Sequence, residues 1–167
     1  LVGVAAAGGM TVPFVASNSA FANQLLATPV GPAFEKLYYV MTAAPPFSST
    51  AAGMEKLAGE YQMAYKGQPL DSAVYSGYST AAIVGEALKK ACENKDLTRE
   101  GIVNAHRSNA KFETGLGGAP MDFTQFNRPA SRASYVVQPS KEARGGTKLV
   151  EEAKESELAK GYNPPAG

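Results

Sequence analysis

The sequence has little of the residue types that build metal sites and disulfides: one cysteine, Cys92, and one histidine, His106, among 167 residues. A single thiol cannot form an internal disulfide, and structural zinc normally needs four Cys or His ligands. Charge is balanced, because 16 Lys and Arg stand against 15 Asp and Glu, and the basic residues are scattered. The sequence therefore predicts no metal site, no disulfide and no face that binds nucleic acid.

Long apolar runs are missing as well. No stretch approaches the roughly 20 apolar residues that cross a bilayer, and no basic segment precedes an apolar one, as it would in a signal peptide. The chain begins Leu1-Val2-Gly3-Val4 without an initiator methionine, which resembles the middle of a helix. We therefore expect the natural N-terminus to lie upstream of this sequence.

Catalytic motifs are not found either. His106 has the helical spacing of a partly buried packing residue relative to Ile102 and Val103, and Cys92 fits a small buried hydrophobe near a helix end. The Gly-Leu-Gly-Gly run at 115–118 lacks the Lys and Ser or Thr of a phosphate-binding loop. We predict that the chain is not an enzyme and has no catalytic residue and no cofactor.

The first third of the chain alternates short apolar runs with turn formers. Residues 1–7 predict the end of a buried helix that stops at Gly8-Gly9. Residues 11–16 predict a buried parallel strand, followed by the cap and turn formers Ser17-Asn18-Ser19 and a short helix over 20–27. Residues 37–42 predict the next strand.

The remainder predicts mostly helices. The first helix begins near Ala51 and stops near Gly67. A longer helix over 71–94 carries small residues that predict close packing on several sides. Thr98 caps a third helix over 99–108. A glycine-rich loop at 112–120 precedes two strand candidates, 121–123 and 133–138. A charged, solvated helix over 148–160 and a frayed tail over 163–167 complete the chain. This alternation predicts an α/β fold with parallel strands.

Three stretches carry a resemblance to a known family: PFVASNSAFANQLLATP at 13–29, DSAVYSGYSTAAIVGEALKKA at 71–91, and LTREGIVNAHRSN with FETGLGGAPMDFTQFNRPASRASYVVQ at 97–138. In this order they resemble the type I periplasmic solute-binding proteins of ABC importers, the branched-chain-amino-acid (Leu-Ile-Val-binding) kind. The resemblance covers about residues 1–140.

The resemblance implies the type I periplasmic-binding-protein fold, in which hinge strands join two Rossmann-like lobes with parallel sheets and the ligand binds between the lobes. Family members are much longer, so this chain resembles their C-terminal portion and would need the missing N-terminal half. Residues 1–42 would then be part of the second lobe and a hinge crossing, 43–130 part of the first lobe, and 131–167 the last hinge strand with a C-terminal helical tail.

The same resemblance implies six ligand-binding candidates: Ser17, Asn18, Ser19, Phe21, Tyr75 and Tyr78. Helix capping is an equally good interpretation of the first three, and core packing of the two tyrosines, whereas for Phe21 packing of its helix is the better interpretation. Amino-acid binders of the family usually have an acid in the loop after the first strand, whereas no Asp or Glu occurs here between Leu1 and Pro32. We therefore expect a small carboxylate, amide or aromatic acid in preference to leucine, isoleucine or valine.

The function that the resemblance implies is capture of a small amino-acid-like or carboxylate ligand outside the cytoplasm, in the periplasm or at the cell surface, and its delivery to an ABC transporter permease. A ligand-sensing regulatory module of the same fold is the alternative. An export signal or lipid anchor upstream would favour transport, and a fused transmembrane or DNA-binding segment would favour sensing.

Overall fold

A four-stranded mixed sheet forms one part of the molecule. The computed structural model describes residues 1–125 and 127–162, and its strands are β1 (Phe14–Ser17), β2 (Tyr38–Thr42), β3 (Ser134–Pro139) and β4 (Thr147–Lys154). They lie in the order β1-β2-β3-β4. β1 and β2 are parallel, with Ala16 opposite Val40, whereas β3 is antiparallel to both β2 and β4. The predicted parallel pair is therefore present, and two antiparallel strands extend it.

Helices pack beside the sheet and form a separate group after it. They are α1 (Val2–Ala7), α2 (Gly31–Leu37), α3 (Ala52–Ala64), α4 (Ser72–Glu93), α5 (Arg99–Arg107) and α6 (Glu157–Gly161). Asp71 caps α4 by accepting the Ala73 N–H at 3.0 Å, and Thr98 caps α5 by accepting the Gly101 N–H at 3.1 Å. The predicted Thr98 cap is confirmed, and Asp71, predicted only as the start of a helix, is a cap as well, because short polar side chains satisfy the free N–H groups of a first turn.

Most of the buried hydrophobic residues form two clusters that share no member. The sheet cluster contains Val2, Leu26, Phe34, Tyr38, Val40, Tyr135 and Val137. The helix cluster contains Phe47, Met54, Ala58, Leu70 and Leu116. The chain passes from the first cluster to the second directly after β2 and returns at β3. The described residues therefore have two small cores, each built mainly from its own segments.

Several sequence-based expectations are wrong at the N-terminal end. β1 is not a buried strand: it lies at an edge of the sheet and Val15 is 62% exposed. The helix at the start of the chain buries Val2 but leaves Val4 79% exposed. The predicted helix over 20–27 is two 3₁₀ turns, Asn18–Ala20 and Asn23–Ala27. Helix α2, which begins with Pro32 in its first turn, was not predicted.

The charged helix predicted over 148–160 is a strand for most of its length. β4 covers Thr147–Lys154 and pairs with β3, and only the short α6 follows. The 3₁₀ turn Arg144–Gly146, with positive φ at Gly145 and Gly146, returns the chain alongside β3. Pairing with β3 outweighs the weak helical preference of Glu, Lys and Ala, which tertiary context commonly overrides.

The α4 helix and its surroundings also differ from expectation. Gly77 and Gly85 have open space where a side chain would begin, and Val84 is 50% exposed, so this face is not closely packed in residues 1–125 and 127–162. Cys92 is exposed rather than buried. His106 is half-buried and stacks on Phe123 with ring centroids 4.3 Å apart, as predicted.

Residues 121–123 form no strand, only a single bridge between Met121 and Phe112. The tail over 163–167 lies outside the described residues. No helix within the described ranges is long and apolar enough to cross a membrane.

Candidate functional site

A cavity of about 270 Å³ lies between the sheet cluster and the helix cluster. It is lined by residues that follow the carboxyl ends of β1 and β2, including Asn18 and residues 42–47, and by the first turn of α4. Because β1 and β2 are parallel, the segments after both strands leave the same edge of the sheet. Ligand sites in open α/β sheets occur at this position.

Most of the cavity wall is apolar. Phe21, Val40 and Val137 line it from the sheet side, and Pro46 and Phe47 from the helix side. Phe21 is held by aromatic neighbours, with its ring centroid 5.9 Å from that of Phe34 and 6.3 Å from that of Tyr38. These rings offer rigid apolar area to a hydrophobic part of a ligand.

Polar groups form the rest of the cavity wall. Asn18 and Asn23 contribute carboxamides, Thr42 a hydroxyl, and Asp71 and Tyr75 a carboxylate and a phenol. Asp71 is the one charged side chain among the lining residues. Its carboxylate accepts the Ala73 N–H at 3.0 Å and lies at the N-terminus of a 22-residue helix, where the helix dipole offsets part of its charge.

The structure brings together three of the six residues predicted from the sequence. Asn18, Phe21 and Tyr75 line the cavity, from a 3₁₀ turn, the loop after it and the first turns of α4. Ser17 ends β1, Ser19 lies within the 3₁₀ turn, and neither lines the cavity. Tyr78 is 42% exposed and also lies outside it.

Sequence reasoning missed Asn23, Phe47 and Asp71. Asn23 was assigned to a helix and Phe47 to the connection after the second strand. Asp71 was recognised only as the start of a helix. Their positions along the chain gave a partial signal, since Phe47 follows the end of a strand and Asp71 precedes a helix. The sequence does not show which helix begins beside which strand, because tertiary packing decides that.

Hydrogen bonds to main-chain oxygens hold the two sides of the cavity in place. Arg144 Nε donates to the Phe47 carbonyl at 2.7 Å, and the Ser48 hydroxyl donates to the Thr147 carbonyl at 2.9 Å. The Tyr135 hydroxyl on β3 donates to the Gly117 carbonyl at 2.8 Å. Burial raises the pKa of Tyr135, and negative charge at Glu152 and Tyr75 adds to the effect. Tyr135 is therefore a hydrogen-bond donor throughout the neutral pH range.

The chemistry of the site is set by the side chains that line it. No cluster of three or more His, Cys, Asp or Glu that could hold a metal occurs among the residues the structure describes. The lining side chains are amides, hydroxyls, one carboxylate and apolar groups. Such a set can hold a small molecule by apolar contact and a few hydrogen bonds.

Comparison with known proteins adds the following findings. A family described as periplasmic binding protein matches residues 1–146. A fatty acid ABC transporter substrate-binding protein from Thermomonospora curvata is 50% identical, with a TM-score of 0.94, and the match covers 99% of this chain and 42% of that one. No curated protein matches the chain significantly.

Two more distant solved structures share the fold. A branched-chain amino acid ABC transporter protein from Thermus thermophilus with bound valine is 22% identical, with a TM-score of 0.74 over 95% of this chain and 43% of that one. A possible leucine/isoleucine/valine-binding protein from Rhodopirellula baltica SH 1 is 18% identical, with a TM-score of 0.70 over 88% of this chain and 38% of that one. The chain thus spans less than half the length of each of these relatives.

Proposed function

The chain belongs to the periplasmic binding protein family, and from this premise we propose that it captures an apolar carboxylic acid outside the cytoplasm and delivers it to an ABC permease. Membership confirms the resemblance and the α/β type I fold predicted from the sequence. The matching family and the solved relatives are binding proteins of transporters, not enzymes. The specific ligand and the delivery step belong to the proposal.

One observation carries the ligand class: the cavity between the clusters is mainly apolar, and the loop after β1 brings no acidic group to it. An aliphatic chain would lie against Phe21, Phe47 and Val137, where burial of apolar surface stabilises binding by roughly 25 cal/mol per Å². Amides and hydroxyls such as Asn18 would meet a carboxylate head. The relative at 50% identity is described as a fatty acid binder, which supports the same ligand class.

Asp71 is the feature that tests this choice most directly. A free amino acid would bring an ammonium, and Asp71 is the lining side chain that could pair with it. A carboxylic acid would instead be repelled by Asp71, although the N-terminus of α4 offsets part of that charge. We propose that Asp71 acts only as the cap of α4, which its hydrogen bond to Ala73 supports.

In our proposal, the complete binding site also includes a part of the protein that this chain does not contain. The chain exposes 10303 Å², whereas a compact monomer of 17.4 kDa exposes about 7,900 Å². The excess of about 2,400 Å² is roughly three times what one partner buries in a standard interface. We infer that the missing N-terminal half of the family fold covers this area, since the match spans 42% of the relative from Thermomonospora curvata.

The arrangement of the two clusters supports a hinged mechanism. In the proposal, residues 1–42 belong to one lobe, 43–130 to the other, and β3 returns the chain between them. Ligand would bind in the cavity and favour the arrangement in which the two lobes approach each other. The closed form would then be the one that the permease recognises.

Isothermal titration calorimetry of the complete protein tests the ligand class. Octanoate and 4-methylpentanoate are titrated against leucine, which differs from the second acid chiefly by its ammonium. We expect both carboxylates to bind and leucine to bind at least tenfold more weakly, because burial of an unpaired ammonium is costly. Tight leucine binding without binding of either acid would refute the ligand class.

An Asp71→Asn variant supplies the matched control. Asn is as good a helix cap as Asp and has the same shape, so α4 is retained while the charge is removed. Carboxylate affinity should stay the same or increase. If leucine binds the parent protein and is lost in D71N, Asp71 pairs with an ammonium and the cavity belongs to an amino-acid binder.

A further inference from the structure

A side-chain hydrogen bond joins the sheet unit to the residue that precedes the cap of α4. The Asn23 Nδ2 donates to the Leu70 carbonyl at 3.1 Å, across 47 residues of sequence. Asn23 opens the 3₁₀ turn Asn23–Ala27, whose Leu26 belongs to the sheet cluster. Leu70 belongs to the helix cluster. The bond therefore connects the two groups of buried residues between which the cavity lies.

This bond is not the only tie between the two clusters, but it differs from the others in position. Arg144 donates to the Phe47 carbonyl, Ser48 donates to the Thr147 carbonyl, and Tyr135 donates to the Gly117 carbonyl. None of these three donor residues lines the cavity, whereas Asn23 does. The Asn23 bond therefore lies where the two sides of the cavity would part if the units separated.

The turn between β3 and β4 packs against Asn23. A Cβ on Gly146 would come within 2.5 Å of the Asn23 Cβ, so the glycine turn contacts Asn23 directly and leaves no room behind it. Asn23 lines the cavity together with Asp71, the residue after Leu70. One carboxamide thus touches both the wall that holds the ligand and the segment that leads into α4.

We propose that Asn23 is an affinity-determining residue that holds the cavity closed through its bond to the Leu70 carbonyl. This rests on the proposed function, because it assigns to one residue the closure of the same binding site. We call this hydrogen bond the clasp. In this proposal the hydrogen bond itself does not contact the ligand. It determines how long the two sides of the cavity stay together.

The clasp has a measurable effect on ligand release. Leu70 is buried, so loss of the donor leaves its carbonyl without this partner. A hydrogen bond of this kind changes an equilibrium by about tenfold, and more when a buried acceptor is left unpaired. Destabilising the closed arrangement by that factor should raise the dissociation rate about tenfold, with little change in the association rate.

The test uses Asn23→Leu in the complete protein, since leucine has the branched shape of asparagine but no hydrogen-bonding group. Thr28→Val is the matched control: it removes the exposed Thr28 hydroxyl, which donates to Leu25 within the same segment. Stopped-flow dissociation of octanoate should be about tenfold faster in N23L and unchanged in T28V. Equal dissociation rates in N23L and the parent protein would overturn the clasp.

A second measurement does not depend on the ligand. Cys92 is exposed near the end of α4 and accepts one dye, and Lys36→Cys on α2 accepts another. Energy transfer between them reports the separation of the two units. N23L should shift the ligand-free distribution towards longer distances, whereas T28V should not. If the parent protein binds no carboxylate, the proposed ligand class is wrong. An unchanged distribution of dye-to-dye distances in N23L would refute the clasp, whichever ligand the protein binds.

Discussion

Replacing Gly145 by alanine should destabilise the protein through two separable effects. Gly145 has φ 77° and ψ 8° in the turn between β3 and β4. A Cβ there would come within 2.8 Å of the Phe47 Cβ, which belongs to the helix cluster and lines the cavity. The substitution therefore adds backbone strain at a left-handed position and a clash across the junction of the two units.

The expected magnitude follows from these two contributions. A left-handed conformation costs a non-glycine residue about 1–2 kcal/mol, and overpacking typically costs about 1–3 kcal/mol. The lower entropy of the unfolded alanine chain offsets about 0.4–1 kcal/mol. We expect Gly145→Ala to lower the free energy of unfolding by about 2–4 kcal/mol.

Two other glycines separate the contributions. Gly67 has φ 80° but nothing within 4 Å of an added Cβ, so G67A carries the strain alone and should cost about 1 kcal/mol or less. Gly59 lies inside α3 with open space beside it, so G59A should stabilise by roughly 0.5–1 kcal/mol. Urea unfolding followed by circular dichroism measures all three. Equal losses in G145A and G67A would show that Phe47 does not contact Gly145.

Two further predictions concern the core and the alkaline limit of stability. Leu116 is 1% exposed, so Leu116→Ala should lower the free energy of unfolding in urea by about 3 kcal/mol. Leu158 is 89% exposed, so Leu158→Ala should change it by less than about 0.5 kcal/mol. Similar losses in the two variants would contradict the burial of Leu116 in the helix cluster. Because the pKa of Tyr135 is raised on folding, the neutral hydroxyl stabilises the fold below its ordinary pKa, and this contribution is lost as pH rises through the folded pKa. Tyr135→Phe should therefore lose about 1 kcal/mol near neutrality and show a smaller alkaline decline in melting temperature; parallel declines in both proteins would refute the burial of this hydroxyl.

The elements that could be predicted from the sequence are those with strong local signals. Asp71 and Thr98 mark the starts of α4 and α5 because their side chains cap free N–H groups. Residues 37–42 and 133–138 were recognised as strands because both are short apolar runs. The residues after Gly146 were misassigned because the partner strand β3, not local preference, decides their conformation.

The candidate site was predicted only in part for a similar reason. Asn18 and Phe21 follow a strand, and Tyr75 lies in the first turns of a capped helix, so local pattern and family resemblance pointed to them. Tyr78, three residues later, lies on an exposed face of the same helix. Asn23 and Phe47 were not found because the residues that they contact, Leu70 and Gly145, are distant in sequence.

The two edges of the sheet differ in a way that affects association between molecules. β4 carries Lys148, Glu151, Glu152 and Lys154, and an edge strand with charges of both signs discourages pairing with another chain. β1 reads Phe14-Val15-Ala16-Ser17 and has no charge at all. An uncovered chain would therefore self-associate through β1 and not through β4. Fragments of this length should aggregate on warming, and a Val15→Lys substitution should delay that aggregation.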